Sequence, residues 1–211
     1  KQIEDYQNFG VIIIKDVFKE WIEPLRKGFQ KVLEKPSQHG RENVNEKDKG
    51  RFFEDYCNWQ RIKEFKDCIF NSPGAQIVAE ATSSKSTQIF HEHIFIKEPR
   101  TYKETPWHQD MPYYCVEGNN TGSFWIPLDN VDQENNLQLI LNSHKWSKLI
   151  RPTKWSNEEP WYKDDTSFMD LPSIESFQKD ILIPKLNLGD AVLFNFKIVH
   201  GSSGNKTSNS R

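Results

Sequence analysis

Two segments about ninety residues apart, Trp107-His108-Gln109-Asp110 and Val199-His200-Gly201, carry two imidazoles and a carboxylate that only a chain folding back on itself can unite. His108 and Asp110 are two residues apart, so on an extended segment both side chains leave the same face. His200 closes the apolar run of residues 191–199 and precedes Gly201-Ser202-Ser203-Gly204-Asn205, a turn-forming stretch. Two ligands beside one strand and a third at the end of a distant strand is how a small β-barrel builds a metal site. Two histidines and one carboxylate suit iron(II), holding one face of the metal and leaving the other open. The bare His-x-Asp triplet is weak by itself. With six histidines in the chain, it arises by chance about one time in three. Taken alone, the triplet reads more simply as a loop histidine capped by an aspartate, and His200 reads equally well as a rim histidine.

The 211 residues suffice for one domain with a sizeable core, and we expect a single domain over 1–211. A formal net charge of −2 gives no basic surplus, so neither nucleic acid nor an anionic membrane surface is an expected partner, and a small-molecule substrate is. Cys57, Cys68 and Cys115 are odd in number and lack zinc-type pairing, which argues against a disulfide framework and for a cytoplasmic protein. No apolar run approaches the roughly 18 residues of a membrane span, and the first residues lack a signal-peptide core. The start has no initiator methionine, and a barrel closing at His200 calls for a further strand after Arg211. Both ends therefore read as continuing.

Residues 9–14 form a β-branched run that predicts a buried strand. From residue 17 to 33, Val17, Phe18, Trp21, Leu25, Phe29 and Val32 recur at helical spacing, with Pro24 a kink or restart. Residues 36–50 are polar and read as a loop. Residues 59–70 and 73–81 again carry helical spacing. After Thr87 the pattern turns β, and a strand over 88–97 puts His91, His93, Phe95 and Lys97 on one face. Further strands are expected at 123–129, 137–141, 181–186 and 190–199. Residues 143–180, rich in Trp, Pro, Asp, Lys and Ser, read as a lid-like insertion over one mouth. The fold class expected is α+β, with a helical region over about 1–85 bracing a double-stranded β-helix, a jelly-roll or cupin-like barrel, over about 86–211.

The stretch from Glu104 to Tyr114, the Trp125-Ile126-Pro127-Leu128-Asp129 segment, the Asn142-Ser143-His144-Lys145 turn, His200-Gly201-Ser202 and the run from Asn205 to Arg211 together resemble the phytanoyl-CoA dioxygenase family. The resemblance extends from about Phe9 to Arg211 and is far more specific than the triad. It implies iron(II), 2-oxoglutarate and dioxygen as reaction partners, with His108, Asp110 and His200 binding the metal. It further implies that Arg211 and Ser202 hold the distal carboxylate of 2-oxoglutarate, with Trp125 and His93 lining that cosubstrate. A guanidinium suits the carboxylate role because it binds bidentately. The implied reaction is hydroxylation of a substrate C–H bond, with release of succinate and carbon dioxide. Related halogenases lack the carboxylate that Asp110 supplies here, so hydroxylation is the outcome favoured.

Met111, Tyr113 and Tyr114 directly follow the metal segment and are candidates to line a substrate pocket. Trp146, Trp155 and Trp161 fall in the insertion beside Lys145, Lys148, Arg151 and Lys154. They read either as an aromatic and basic mouth for an anionic substrate or, more simply, as anchors pinning a long loop. His91 and His93 share a strand face, which leaves a second metal as the less favoured reading of that pair. Two rival functions use the same residues: a cupin-like metal-dependent hydrolase or isomerase without 2-oxoglutarate, and a catalytically silent binding protein. The sequence names neither substrate nor oligomeric state.

Overall fold

The computed structural model describes residues 1–43, 47–155 and 159–208. Helix α1 (Gln2–Phe9) ends on Gly10, whose φ of 75° lets the chain turn at once into strand β1 (Val11–Ile14). The strand expected from residue 9 is thus shorter by its first two residues. Helix α2 (Ile22–Glu34) follows a single 3-10 turn. Pro24 lies in its first turn, where its missing N–H costs nothing, so it restarts the helix without kinking it.

The polar loop after α2 contains a short strand β2 (Arg41–Glu42), and residues 44–46 of the expected loop lie outside the described residues. Strand β3 (Phe52–Tyr56) interrupts the region read as helical. Four of its five residues are buried on both faces, so no polar alternation marks it. Helices α3 (Lys63–Asn71) and α4 (Gly74–Ala81) then form where the spacing placed them.

The remaining strands are β4 (His93–Lys97), β5 (Thr105–His108), β6 (Ser123–Trp125), β7 (Gln138–Ile140), β8 (Ile181–Leu182), β9 (Ala191–Phe194) and β10 (His200–Ser202). They assemble into three antiparallel sheets, ordered β1-β9-β6, β5-β10-β7-β8 and β2-β3-β4. Val11, Val192 and Phe194 from the first sheet pack with Leu139 of the second and with Leu137 and Ile198, which precede its strands β7 and β10, and Trp125 and Leu182 join them. The first two sheets therefore face one another across a shared core. Helices α1 and α4 cover the outer side of the first sheet through Tyr6, Ile77, Val78 and Ala81. Helices α2 and α3 cover the third sheet, with Val32 and Phe65 meeting Phe53, Ile94 and Ile96. Helices bracing antiparallel sheets match the α+β class expected.

One expectation is corrected. The apolar run 191–199 is not one strand ending at His200. It breaks at Asn195, whose side-chain oxygen accepts the Lys197 N–H at 3.0 Å while its carbonyl accepts the Ile198 N–H at 2.8 Å. That turn carries the chain from β9 in one sheet to β10 in the other, so His200 begins a strand and does not finish one.

Candidate metal centre

His108 and His200 are direct cross-strand partners between β5 and β10. Their rings lie 4.3 Å apart between centroids. The next register pair is Ser202 with Thr105, so β5 spends three residues where β10 spends two. The extra residue falls within Pro106–Trp107, on an edge strand, where Pro106 has no N–H to lose. This bulge stays on β5, so on β10 the regular two-residue step keeps His200 and Ser202 on one face.

Asp110 follows β5 and turns back toward the pair. Its Oδ1 lies 3.6 Å from His108 Nε2 and 3.8 Å from His200 Nε2. One ligand atom from each of the three residues lies within 4.8 Å of the others. His108 Nδ1 donates to the Pro106 carbonyl at 2.7 Å, and His200 Nδ1 donates to the Ile198 carbonyl at 2.9 Å. Each ring is thereby fixed in the tautomer that turns a bare Nε2 toward Asp110, as metal-binding histidines require. Ser123 Oγ donates to the other carboxylate oxygen, Oδ2, at 3.1 Å, leaving Oδ1 for a cation.

The electrostatics agree with this donor set. Burial opposes ionisation of Asp110, but His200, His108 and the Ser123 hydroxyl outweigh it and hold the carboxyl down to about 2. Burial, and then the neighbouring His108, push His200 down to about 4, so it is a neutral imidazole at neutral pH. Two imidazoles, each turning Nε2 inward, and a carboxylate, all buried and all with their other atoms hydrogen-bonded, fit a divalent iron of the facial-triad kind.

The surroundings are aromatic. Tyr113 and Trp155 pack against the His108 ring at 5.8 and 5.0 Å, and Trp161 backs Tyr113 at 5.6 Å. The Tyr113 hydroxyl bridges the backbone of Thr153, donating to its carbonyl and accepting its N–H, both at 2.9 Å. Tyr114 is enclosed by Phe90, His91 and Phe196, and burial, with the Asp110 carboxylate beside it, pushes its phenol well above the usual range. Met111 is buried, and its N–H donates to the Phe196 carbonyl.

The insertion's charges face its own backbone. Lys148 donates to the Thr166 carbonyl, Arg151 pairs with Asp170 and donates to the carbonyls of Tyr162 and Asp165, and Lys154 pairs with Glu159. Trp146 packs on Phe177 beneath the insertion. These groups bond within residues 146–177 and do not converge on the triad.

Among the other residues singled out in the sequence, Ser202 is buried and accepts a hydrogen bond from Lys97 Nζ at 3.2 Å. Trp125 sits in the core between the facing sheets, beside Phe194, whose ring lies 4.7 Å from that of His200. His93 bonds Glu54 through Nε2 at 3.2 Å and stacks near Phe95 at 4.0 Å. It faces the same way as Lys97 but does not join the triad, and His91 instead meets Tyr114. Arg211 lies outside the described residues.

Sequence reasoning missed three participants. Ser123 orients Asp110. Gln109 links the metal segment to Lys197 and Ile150 through its side-chain amide. Lys97 was placed on the right strand face without a role. A buried lysine in an apolar strand is the one of these that composition alone could have flagged.

Facing antiparallel sheets that bring two histidines and an aspartate onto one point define the class of proteins with a facial-triad metal centre. The sequence pattern described as phytanoyl-CoA dioxygenase matches residues 6–211, and the chain belongs to that family. The peroxisomal phytanoyl-CoA dioxygenase of Bos taurus is 24% identical over 163 residues, covering 74% of this chain and 42% of that protein. The chain thus spans less than half the length of that relative. Among solved structures, the 2-oxoglutarate-dependent carbocyclase SnoK from nogalamycin biosynthesis superposes with a TM-score of 0.77 at 18% identity, covering 100% of this chain and 79% of that one. EctD from S. alaskensis gives 0.76 at 18% identity, covering 100% and 72%. The epimerase SnoN, solved with Fe3+, 2-oxoglutarate and nogalamycin RO, gives 0.71 at 15%, covering 100% and 78%. Iron and 2-oxoglutarate are named for these neighbours themselves, Fe3+ with 2-oxoglutarate for SnoN and 2-oxoglutarate with 5-hydroxyectoine for EctD.

Proposed function

We propose that this chain is an iron(II)- and 2-oxoglutarate-dependent dioxygenase that hydroxylates a C–H bond of a small molecule. The single observation that carries the reading is the meeting of His108, Asp110 and His200 with both Nδ1–H groups tied to backbone carbonyls, so that only the ligating atoms are offered. Family membership supports the same chemistry. In this reading the facing sheets form a double-stranded β-helix over about 86–211, and residues 143–180 act as its lid.

Iron bound here, with 2-oxoglutarate, supplies the oxidising power that divides dioxygen between succinate and the hydroxylated product, with carbon dioxide released. The protein's part is to position and to exclude water. His108 and His200 hold the metal through Nε2, and Asp110 supplies the one negative charge and denies that position to a halide. Ser123 keeps Asp110 aimed. Ser202, Arg211, Trp125 and His93 make up the cosubstrate side. Met111, Tyr113 and Tyr114 line the substrate side, where Trp155 and Trp161 exclude water from above His108.

The test is anaerobic titration of the iron(II)-loaded protein with 2-oxoglutarate, watching for the weak visible charge-transfer band of keto-acid chelation. The band is expected in the parent and absent in Asp110→Ala. Iron-loaded parent protein that shows no band refutes the assignment.

A further inference from the structure

Among the described residues, seven buried side-chain nitrogens or oxygens lack a hydrogen-bond partner. Six of them belong to side chains with a second polar atom. The seventh is the indole Nε1 of Trp155, the one polar atom that side chain has. An enclosed N–H without an acceptor destabilises a fold, so its retention calls for a reason. The ring meets that of His108 at 5.0 Å between centroids, inclined at 68°. It also lies within 19° of parallel to the Phe95 ring, 6.4 Å away. Phe95 stands on β4 and is 36% exposed, so the indole spans from a ligand of the metal centre to a ring at the surface.

An indole N–H only donates, so whatever completes it is an acceptor. Charge decides what kind. The Asp110 carboxylate and a dianionic keto acid together outweigh a divalent metal, so the occupied centre is net negative and repels a further anion. The cations of the insertion do not offset this. Arg151 is held by Asp170 and the Tyr162 and Asp165 carbonyls, Lys148 by the Thr166 carbonyl and Lys154 by Glu159. The other neighbours are rings, with Tyr113 on His108 and Trp161 behind Tyr113. Such walls suit an apolar body that carries an uncharged oxygen.

We propose that the Trp155 N–H is a substrate-binding donor, and that it selects an uncharged substrate whose carbonyl or hydroxyl oxygen it holds beside the metal centre. The inference rests on the proposed function and deepens it by giving the class of substrate. It also gives the insertion a second task. The indole that shields His108 fixes the substrate's oxygen, and with it the C–H bond that is presented.

The test follows the indole N–H signals by NMR in Zn(II)-loaded protein with 2-oxoglutarate, which does not turn over, its tryptophans isotopically labelled. Trp155→Phe identifies the signal, and Trp155→Tyr does so if the first variant does not fold. The Trp155 proton is expected at high field before any probe is added. Cyclohexanone and cyclohexanol, neutral acceptors on a small apolar ring, should move it saturably to lower field, and cyclohexanecarboxylate should not. Trp155→Phe should bind cyclohexanone about 2- to 10-fold more weakly than the parent, the range for a neutral hydrogen bond.

A signal already at low field without a probe, the mark of a bonded N–H, overturns the proposal. So does a signal that neither neutral probe moves, or that the carboxylate moves as far. If the iron(II)-loaded parent still shows the charge-transfer band with 2-oxoglutarate, either result leaves the proposed function standing. A parent without the band overturns both.

Discussion

Gln109, the residue between the two ligands of the His-x-Asp segment, gives a quantitative test of how the centre is held. Its side chain is 2% exposed, its Nε2 donates to the Lys197 carbonyl at 2.6 Å, and its Oε1 accepts the Ile150 N–H at 2.7 Å. One amide thus ties the metal segment to the turn before β10 and to the base of the insertion. Gln109→Met keeps the length of the side chain and removes both functions, stranding one carbonyl and one N–H. Each stranded buried group costs about 1–3 kcal/mol, so the pair should cost about 2–6 kcal/mol. A central loss of about 4 kcal/mol corresponds to roughly 8–16 °C in Tm for a domain of this size.

The assay is urea and thermal unfolding of metal-free protein followed by circular dichroism. A loss below about 0.5 kcal/mol, the scatter of neutral surface changes, refutes the reasoning. Gln109→Glu adds a sign test. Its carboxylate can accept from Ile150 but faces the Lys197 carbonyl, so its folded-state pKa is raised. A raised pKa means that the folded state binds the extra proton, so stability must recover as pH falls toward the ordinary carboxylate value and decline again as pH rises. Stability that is flat across that range contradicts the placement.

Asp190 should behave in the opposite sense. It is 1% exposed, and although burial opposes its ionisation, bonds from Lys15 and from the N–H groups of Asn187 and Asp16 hold its carboxyl below the usual value. Its contribution is present above the ordinary carboxylate pKa of about 3.9 and is lost as pH falls through the lower folded value. Asp190→Asn should therefore be less stable at pH 7, by about 1–3 kcal/mol, and lose less than the parent on acidification; parallel urea midpoints for the two from pH 6 to 3 refute this. Gly10→Ala should cost at least about 1–2 kcal/mol from the left-handed backbone alone. The added Cβ would also lie 2.5 Å from His144 Nδ1 and 2.7 Å from Ile198 Cδ1, so an unchanged Tm contradicts the turn between α1 and β1. Ser123→Ala should leave the fold intact and weaken metal binding, read by competition with a chromophoric chelator; unchanged affinity removes Ser123 from the centre.

The helices were legible because their apolar faces repeat at helical spacing, and α2, α3 and α4 form within a few residues of where Val17 to Ala81 placed them. The ligand triad was legible because His108, Asp110 and His200 are rare residue types in a specific context. Strand limits were less so. β6, β7 and β9 are each shorter than their apolar runs, because apolar residues also fill the turns that pack between the sheets. The break at Asn195 was hidden for that reason: Phe196 and Ile198 are as buried as the strand before them, and only the hydrogen bonds of Asn195 end it. The third sheet was hidden because β3 buries the charged Glu54 and Asp55 beside Phe52 and Phe53, so polarity does not mark which of its faces is inward. Without that sheet, Lys97 had nothing to cross from and its reach to Ser202 was not visible.

Both imidazoles of the centre take their orientation from the carbonyl two residues before them, Pro106 for His108 and Ile198 for His200. The aim of each ring is thus written into its own few residues of backbone, and the cross-strand pairing of His108 with His200 supplies the rest. Such a centre is modular. Gln109 is the point where these backbone-borne orientations meet residues 143–180, through the Ile150 N–H, and Trp155 is where those residues touch the His108 ring. On the proposed function, one pair of strands can keep the means of oxidation fixed while the choice of what is oxidised diverges.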